Sequence, residues 1–540
     1  MLKRIQKPFA TCLFFLLVFL SACHNQSAKK EPVTPKTDSL PKPGRSVEGS
    51  FSDQRVLHLD SSNINQILTR FPLLGKYGSD VKKFYRYRNF SYAWYETSGL
   101  IEQANHLYTH LNNLEDEGIL IKPPYLNDLD SLINDLSVTD KADSVLEILL
   151  TAEYLFYADK VWNGIAENQT SKLQWYIPRK KLNLPYLTDS LIRDTAAPLF
   201  SDNYSYRQYN LLKETLKKYK QLDSSTSWKP IQTKGKLALH DESKDVASLR
   251  KRLFELGDLK FDSGSEVFEE SLRDGIKSFQ YRYGMTADGV PGPAFFNYIN
   301  TPLQEYIRKI IINMERARWV PLDLKSHYLI VNIPSFTLYA YDADTIRFTM
   351  NVVVGKDVHK TVLFSGDIKY IVFSPYWDIP PSILKNEILP GIRKDPNYLK
   401  RNNMEWVGNR VRQKPGPKNS LGLVKFLFPN SYNIYMHDTP AKSLFEKSAR
   451  AFSHGCIRLG EPEKLADYLL REDPQWTAEK INKAMHAGVE KYVTLKDPVP
   501  VYIGYLTAFV DNQGRINFRD DVYKRDAALE KTLMLSLIHI

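Results

Sequence analysis

The apolar spacing of this chain changes once, near residue 325, and that change excludes a single uniform architecture. Before it, apolar residues return at helical steps, as in 142–165, where Val145, Leu149, Ala152, Phe156 and Val161 recur every three to five positions. After it, 327–333, 336–341 and 346–354 are short runs rich in Val, Ile, Tyr and Phe, with Asp342-Ala343-Asp344 at a turn. Further strands are expected at 369–373, 423–428 and 432–437, the last two joined as a hairpin at Pro429-Asn430. The expected class is multidomain α+β, helices first and sheet second. At 540 residues the chain exceeds what one hydrophobic core organises, and 43% hydrophobic content suffices for several.

Residues 1–22 read as an export signal: Lys3, Arg4 and Lys7 precede an apolar run too short to span a bilayer, followed by Leu20-Ser21-Ala22-Cys23. That ending resembles a bacterial lipobox, which implies cleavage before Cys23, lipidation of its thiol and membrane anchoring; an ordinary cleavable signal is the alternative. Loss of the three cations brings the formal charge from +11 to +8, a moderately basic surface compatible with an anionic wall. Residues 23–50, with Pro32, Pro35, Pro41 and Pro43 among polar residues, form the anchor and an extended linker. His24-Asn25 lacks the Asp that signals inner-membrane retention, so the expected location is the periplasm, lipid-anchored, with the outer membrane favoured.

Residues 51–240 read as a helical scaffold domain, in which the aromatics Phe90, Tyr92, Trp94 and Tyr95 are either a carbohydrate platform or core. Residues 243–300 form a compact unit: Leu249, Leu253 and Leu256 share a helical face, Gly257 stops the helix, and a second helix ends in Phe279-Gln280 before a turn-rich stretch. Phe279, Gln280, Gly284, Asp288, Gly289 and Gly292 resemble the repeat of the small three-helix peptidoglycan-binding domain, with Pro293 a departure from it. A helical packing domain that holds no sugar is the alternative. A helical connector (301–324) leads to the β-rich domain (325–500), whose Pro-rich insertion at about 382–421 is long enough to be a lid subdomain. Residues 501–540 are a C-terminal extension, and the apolar stretch 533–540 fits no element.

Of the three cysteines, Cys12 lies in the signal and Cys23 in the lipobox, so Cys456 is left as a lone thiol in an exported chain. Ser453-His454-Gly455-Cys456-Ile457-Arg458-Leu459 holds what nucleophilic acyl transfer requires: a sulfur on a tight turn, and Gly455 and Cys456 amides as oxyanion donors. Gly460, Glu461 and Pro462 begin a helix to Leu470 whose positive end is expected near the sulfur.

A strand ending in His437 followed by Ser-His-Gly-Cys, an aliphatic residue and Arg resembles the L,D-transpeptidase catalytic domain. The run 374–381 and Arg450-Ala451-Phe452 resemble that family's large multidomain branch. The resemblance implies a β-sandwich-like catalytic fold, Cys456 as nucleophile, and His437 as base oriented by the Asp438 carbonyl. Ser453, His454, Gly455 and Arg458 would be motif positions of the loop, His454 shaping it rather than acting as base. Tyr435, two residues before His437 on the same strand face, would line the substrate pocket, with Trp377 in the cleft.

By the same resemblance, Cys456 attacks the stem carbonyl before a terminal D-alanine and expels it. The acyl group then passes to a second stem's side-chain amine, giving a 3-to-3 cross-link. Hydrolysis of stems by the same chemistry, or an idle wall-binding scaffold, are the alternatives. The implied partners are peptidoglycan stem peptides and glycan, and a membrane through Cys23; nothing calls for nucleic acid. No cofactor is implied. A zinc site from His437, His454 and Cys456 lacks paired ligand spacing and a fourth ligand, so no metal is expected.

Overall fold

A computed structural model describes residues 57–535 except 97–98, 140–141, 194–201, 233–236, 323 and 344. The expected signal, Cys23 and the linker lie outside the described residues, as do Cys12 and the last five residues.

The helical part is built round α1 (Ser144–Ala158), whose amino end is capped by the Asp143 carboxylate accepting from the Val145 amide at 2.6 Å. Its sequence is apolar nearly all round, and it is accordingly buried on every side rather than along one stripe. Trp94 and Tyr95 are buried beside it, and Phe90 and Tyr92 pack against the same core, so this aromatic group is core and not a carbohydrate platform. Helix α2 (Arg207–Ser225) closes this part.

Three helices follow, α3 (Lys244–Glu255), α4 (Glu270–Arg282) and α5 (Pro293–Ile299), around Leu249, Leu253, Ile276, Phe279 and Phe295. The motif residues hold this fold. The Gln280 amide donates to Asp288 Oδ1 (2.8 Å) and the Val290 carbonyl (3.0 Å), while its own carbonyl accepts from the Gly289 amide (2.8 Å). Pro293 takes the first position of α5, where its missing N–H costs nothing.

The segment expected as a connector is a core helix, α6 (Leu303–Arg318), with twelve buried residues. Arg318 reaches the carbonyls of Val161 and Glu117 in the helical part, while Asn313 and Arg316 reach Thr507 and Asp526 near the carboxyl end.

A strand of the helical part, β1 (Trp175–Tyr176), pairs with the main sheet. That sheet comprises β2 (His327–Asn332), β3 (Thr337–Asp342), β4 (Thr345–Gly355) and β5 (Leu363–Phe373). An inserted subdomain carries β6 (Trp377–Asp378), β7 (Met404–Val407) and β8 (Arg410–Gln413) as its own small sheet over Ile379, Ile388 and Val411. The main sheet resumes with β9 (Val424–Leu427), β10 (Met436–His437), β11 (Ala451–Ser453), β12 (Ile457–Leu459) and β13 (Lys491–Gly504). The strand path β9-β10-β12-β4-β3-β2-β13-β5 returns to β9, so the two layers join around one apolar interior.

Two expectations are corrected. Strand β13 runs across the boundary expected at 500, because Val501 to Gly504 pair in parallel with β2. The carboxyl end is no appendage: hairpin β14 (Ala508–Val510) and β15 (Ile516–Phe518) binds Gln208 of α2 and Arg282 of α4. A final helix, α7 (Arg525–Leu535), includes the first three residues of the stretch that matched no element.

Candidate active site

Strands β10 and β12 pair in parallel, Met436 facing Ile457 and His437 facing Arg458. The Ile457 amide donates to the Tyr435 carbonyl at 3.1 Å, which extends the ladder and puts Tyr435 beside Cys456. Met436 and Ile457 are fully buried in the sheet's interior. Alternation therefore turns Tyr435, His437, Cys456 and Arg458 together to the opposite face. His437 and Cys456 are diagonal neighbours there. The structure thus brings together four of the residues singled out in the sequence.

His437 Nδ1 is hydrogen-bonded to the Asp438 carbonyl. A carbonyl can only accept, so Nδ1 carries the proton and Nε2 keeps its lone pair. Asp438 is itself fixed: its carboxylate takes the Leu423 amide at 2.9 Å and Lys442 Nζ at 2.6 Å. A Cβ at Gly422, which has φ +63°, would occupy the space of that carboxylate. Burial, with the Arg458 guanidinium adding to it, pushes the imidazole down to about 4. The imidazole is therefore neutral at neutral pH.

Burial also pushes the Cys456 thiol up, against hydrogen bonds from the backbone and hydroxyl of Tyr435 and the charge of Arg458, which favour the thiolate. Cys456 Sγ lies 3.8 Å from the Asn433 carbonyl. Burial and the neighbouring sulfur push the Tyr435 hydroxyl far up, so it stays protonated, and Trp377 hydrogen-bonds to it from the inserted subdomain. Among the described residues Cys456 is in no disulfide, and no cluster of three metal-ligating side chains occurs.

The loop is held from below. Ser453 Oγ donates to the Cys456 carbonyl and accepts from the Gly455 amide at 3.1 Å. Gly455 has φ +117°, a conformation closed to other residues. Its carbonyl accepts from Thr361 Oγ1 at 2.9 Å, and Thr361 is braced by the Tyr523 hydroxyl at 3.2 Å. His454 turns away from the sulfur's neighbours to Glu387 of the inserted subdomain, Nε2 to Oε1 at 3.2 Å, and its ring lies 5.2 Å from that of His359.

Three local expectations change. The Gly455 amide is engaged by Ser453 and does not face an oxyanion. Strand β12 intervenes between Cys456 and the helix Pro462–Leu470, so the helix's positive end is not at the sulfur. The hairpin ending at His437 has only two strand residues, because 428–435 form a loop in which Asn433 takes φ +55°. Sequence reasoning missed Thr361, Tyr523, Asn433 and Glu387. Only Asn433 carried a signal, the tolerance of Asn for left-handed backbone.

A thiol and a neutral, carbonyl-oriented imidazole on one sheet face make this a multidomain α+β protein with the groups of a nucleophilic enzyme site. Residues 326–501 match the L,D-transpeptidase catalytic domain, 79–216 the Scaffold domain, and 242–299 the "Putative peptidoglycan binding domain". The chain thus carries the catalytic domain of the L,D-transpeptidase enzyme family together with a helical scaffold and a peptidoglycan-binding domain.

A Haemophilus influenzae protein named "Putative L,D-transpeptidase" is 29% identical over 287 residues, which cover 48% of this chain and 57% of that protein. The chain therefore spans less than two thirds of that relative. Among solved structures, an L,D-transpeptidase from Mycobacterium smegmatis is 14% identical over 33% of this chain and 58% of its own, at a TM-score of 0.20. One from Stackebrandtia nassauensis is 14% identical over 52% and 97%, at 0.21. Similarity at such TM-scores is too slight to equate side chains between the molecules.

Proposed function

We propose that this protein is an L,D-transpeptidase that forms 3-to-3 cross-links between peptidoglycan stems by cysteine acyl transfer. The observation that carries the reading is the shared face of Tyr435, His437, Cys456 and Arg458, with His437 Nδ1 bound to the Asp438 carbonyl. As Cys456 Sγ attacks the carbonyl before the terminal D-alanine, His437 Nε2 takes the thiol proton and returns it to the leaving amine. The side-chain amine of a second stem then attacks the thioester carbon, forming the new amide as the C–S bond breaks, and His437 carries the amine's proton back to the Cys456 thiolate. Arg458 favours the thiolate and opposes imidazolium, so proton transfer is timed to attack. With the Gly455 amide engaged, the Cys456 amide is the loop donor left for the oxyanion. The inserted subdomain, touching Tyr435 through Trp377 and His454 through Glu387, acts as a lid that excludes water from the thioester.

Incubating the purified protein with tetrapeptide-bearing muropeptides and resolving the products by mass tests this reading. Cross-linked dimers with one D-alanine lost are expected. Trimmed monomers alone would make it a stem hydrolase, and unchanged substrate a binding scaffold. We also propose that the chain is held in the periplasm by a lipid on Cys23, preferentially at the outer membrane; Cys23→Ser should release it into the soluble fraction. Continued membrane association of that variant would count against lipidation.

A further inference from the structure

A cavity of about 910 Å3 opens on the helical part, and none of Tyr435, His437, Cys456 and Arg458 lines it. Its volume falls within the roughly 300–1,000 Å3 of a pocket for one small molecule. Six basic side chains line it, Lys76, Lys160, Lys172, Arg179, Lys180 and Lys181, against two carboxylates, Asp159 and Glu167. One wall is the π-turn Asp159–Asn163 that continues α1, a rare form of helix that recurs at functional sites. The segments on either side of β1 supply Lys172, Arg179, Lys180 and Lys181.

The acids near this cavity do not balance its bases. Asp159 already accepts from Lys76 at 3.2 Å, from the Tyr77 hydroxyl at 2.9 Å and from Asn163 at 3.3 Å. Glu315, whose charge reaches Lys160, Arg179 and Lys180, is held by the Ile165 amide, Trp319 and Arg318. Glu167 is exposed. The half-buried Lys160 ammonium has no hydrogen-bond or ion-pair partner among the described residues. Burial and then Lys76 pull it below its ordinary value, and burial, Arg318 and Arg179 pull Lys180 down to about 7. Like charges gathered in partly buried surroundings repel one another, and an anion among them would offset that repulsion.

The donors left open favour phosphate over a carboxylate. Arg179 has its terminal nitrogens on the carbonyls of Ile165 (2.7 Å) and Asn163, so its fork is not open to the paired geometry a carboxylate prefers. Lys180 donates to the Tyr204 carbonyl. What remains are the ammonium groups of Lys160, Lys172 and Lys181, compact point charges that each give single hydrogen bonds. A phosphate group, with nearly two charges and three acceptor oxygens on one centre, takes several such donors at once, whereas a carboxylate offsets only one charge.

We propose that this cavity is a binding site for a phosphate group, free or at the head of a lipid, with the Lys160 ammonium at its centre and Lys172 and Lys181 beside it. Binding is measured by calorimetry on the full-length chain carrying Cys23→Ser, so that no acyl anchor contributes, with inorganic phosphate and, at matched ionic strength, with acetate. Phosphate is expected to bind and to raise the thermal midpoint, and acetate to do neither. Lys160→Gln removes a half-buried charge that has no partner, so in phosphate-free buffer it should unfold at the temperature of the parent chain or above it. It should bind phosphate about tenfold more weakly and gain correspondingly less from it. Lys181→Gln, at an exposed position where folding is not at stake, should also weaken binding, while Lys400→Gln in the inserted subdomain should leave it unchanged. Phosphatidylcholine vesicles with and without phosphatidic acid separate the two sources. Sedimentation with phosphatidic acid that Lys160→Gln abolishes assigns a lipid phosphate, and binding of inorganic phosphate alone assigns a free one. Absence of phosphate binding, equal binding of acetate, or an affinity unmoved by Lys181→Gln or by a folded Lys160→Gln would each overturn the proposal.

Discussion

His437 carries a pH signature that its position forces. Its imidazole, ordinarily at 6.5, is pushed down to about 4, so the acid limb of Cys456 acylation should lie near 4 rather than near 6.5. His437→Ala should lower single-turnover acylation by about 10²- to 10⁴-fold at neutral pH, measured with a carbapenem or thiol reagent and Cys456→Ala as blank. A wild-type rate in His437→Ala would transfer the role to another group. The same shift affects stability. Between 6.5 and about 4 the unfolded imidazole binds a proton that the folded one refuses, so this group's contribution to stability falls as pH falls through that window. Glu147, pushed up to about 7 by burial, acts oppositely, losing stability as pH rises from 4.5 towards 7. The test is therefore wild type against His437→Gln in urea at pH 7 and pH 5. The gap between the two proteins should narrow at pH 5, and a constant gap would refute the assignment. Tyr435, His437, Cys456 and Arg458 can be placed together from the sequence, because each lies on one of two short strands or one residue before it, where alternation is local. Thr361 and Tyr523 cannot be, because their roles exist only once distant segments are packed against the loop.

At the scale of elements, the change of apolar period at 325 survives as the boundary between helices and sheet, since periodicity records which face each element buries. What periodicity does not record is burial on all sides. Helix α6 reads as a connector because Asn313, Glu315, Arg316 and Arg318 look solvent-seeking, yet each is buried and bonded. The turn after α4 shows the converse, a motif whose residues serve the fold. Gln280→Ala would strand the buried Gly289 amide, and leaving such a donor unmet costs about 1–3 kcal/mol. Chemical denaturation should show that loss, with faster hydrogen exchange at Gly289; an unchanged amide would mean that water replaces Gln280 at no cost.

The whole molecule couples its carboxyl end to the loop that carries Cys456, a relation that spans too much sequence for any local pattern to announce. The Tyr523 hydroxyl donates to the Gly355 carbonyl and accepts from the Thr361 amide, while Thr361 Oγ1 accepts from the Gly355 amide and donates to the Gly455 carbonyl. Gly455 is thereby positioned from a residue 68 positions on, and the Tyr523 amide is itself held by the Tyr505 hydroxyl at 2.8 Å. Tyr523→Phe keeps the ring's packing but removes both bonds, leaving a buried carbonyl and a buried amide unmet. The expected cost is about 1–3 kcal/mol in urea unfolding. If that displacement reaches the loop, acylation of Cys456 should also slow by roughly tenfold, since each 1.36 kcal/mol lost from the transition state is a factor of ten. Single-turnover acylation and unfolding measured on the same variant decide the matter. A stability loss with an unchanged acylation rate would confine Tyr523 to the core and cut the proposed link between the carboxyl end and the Cys456 thiol.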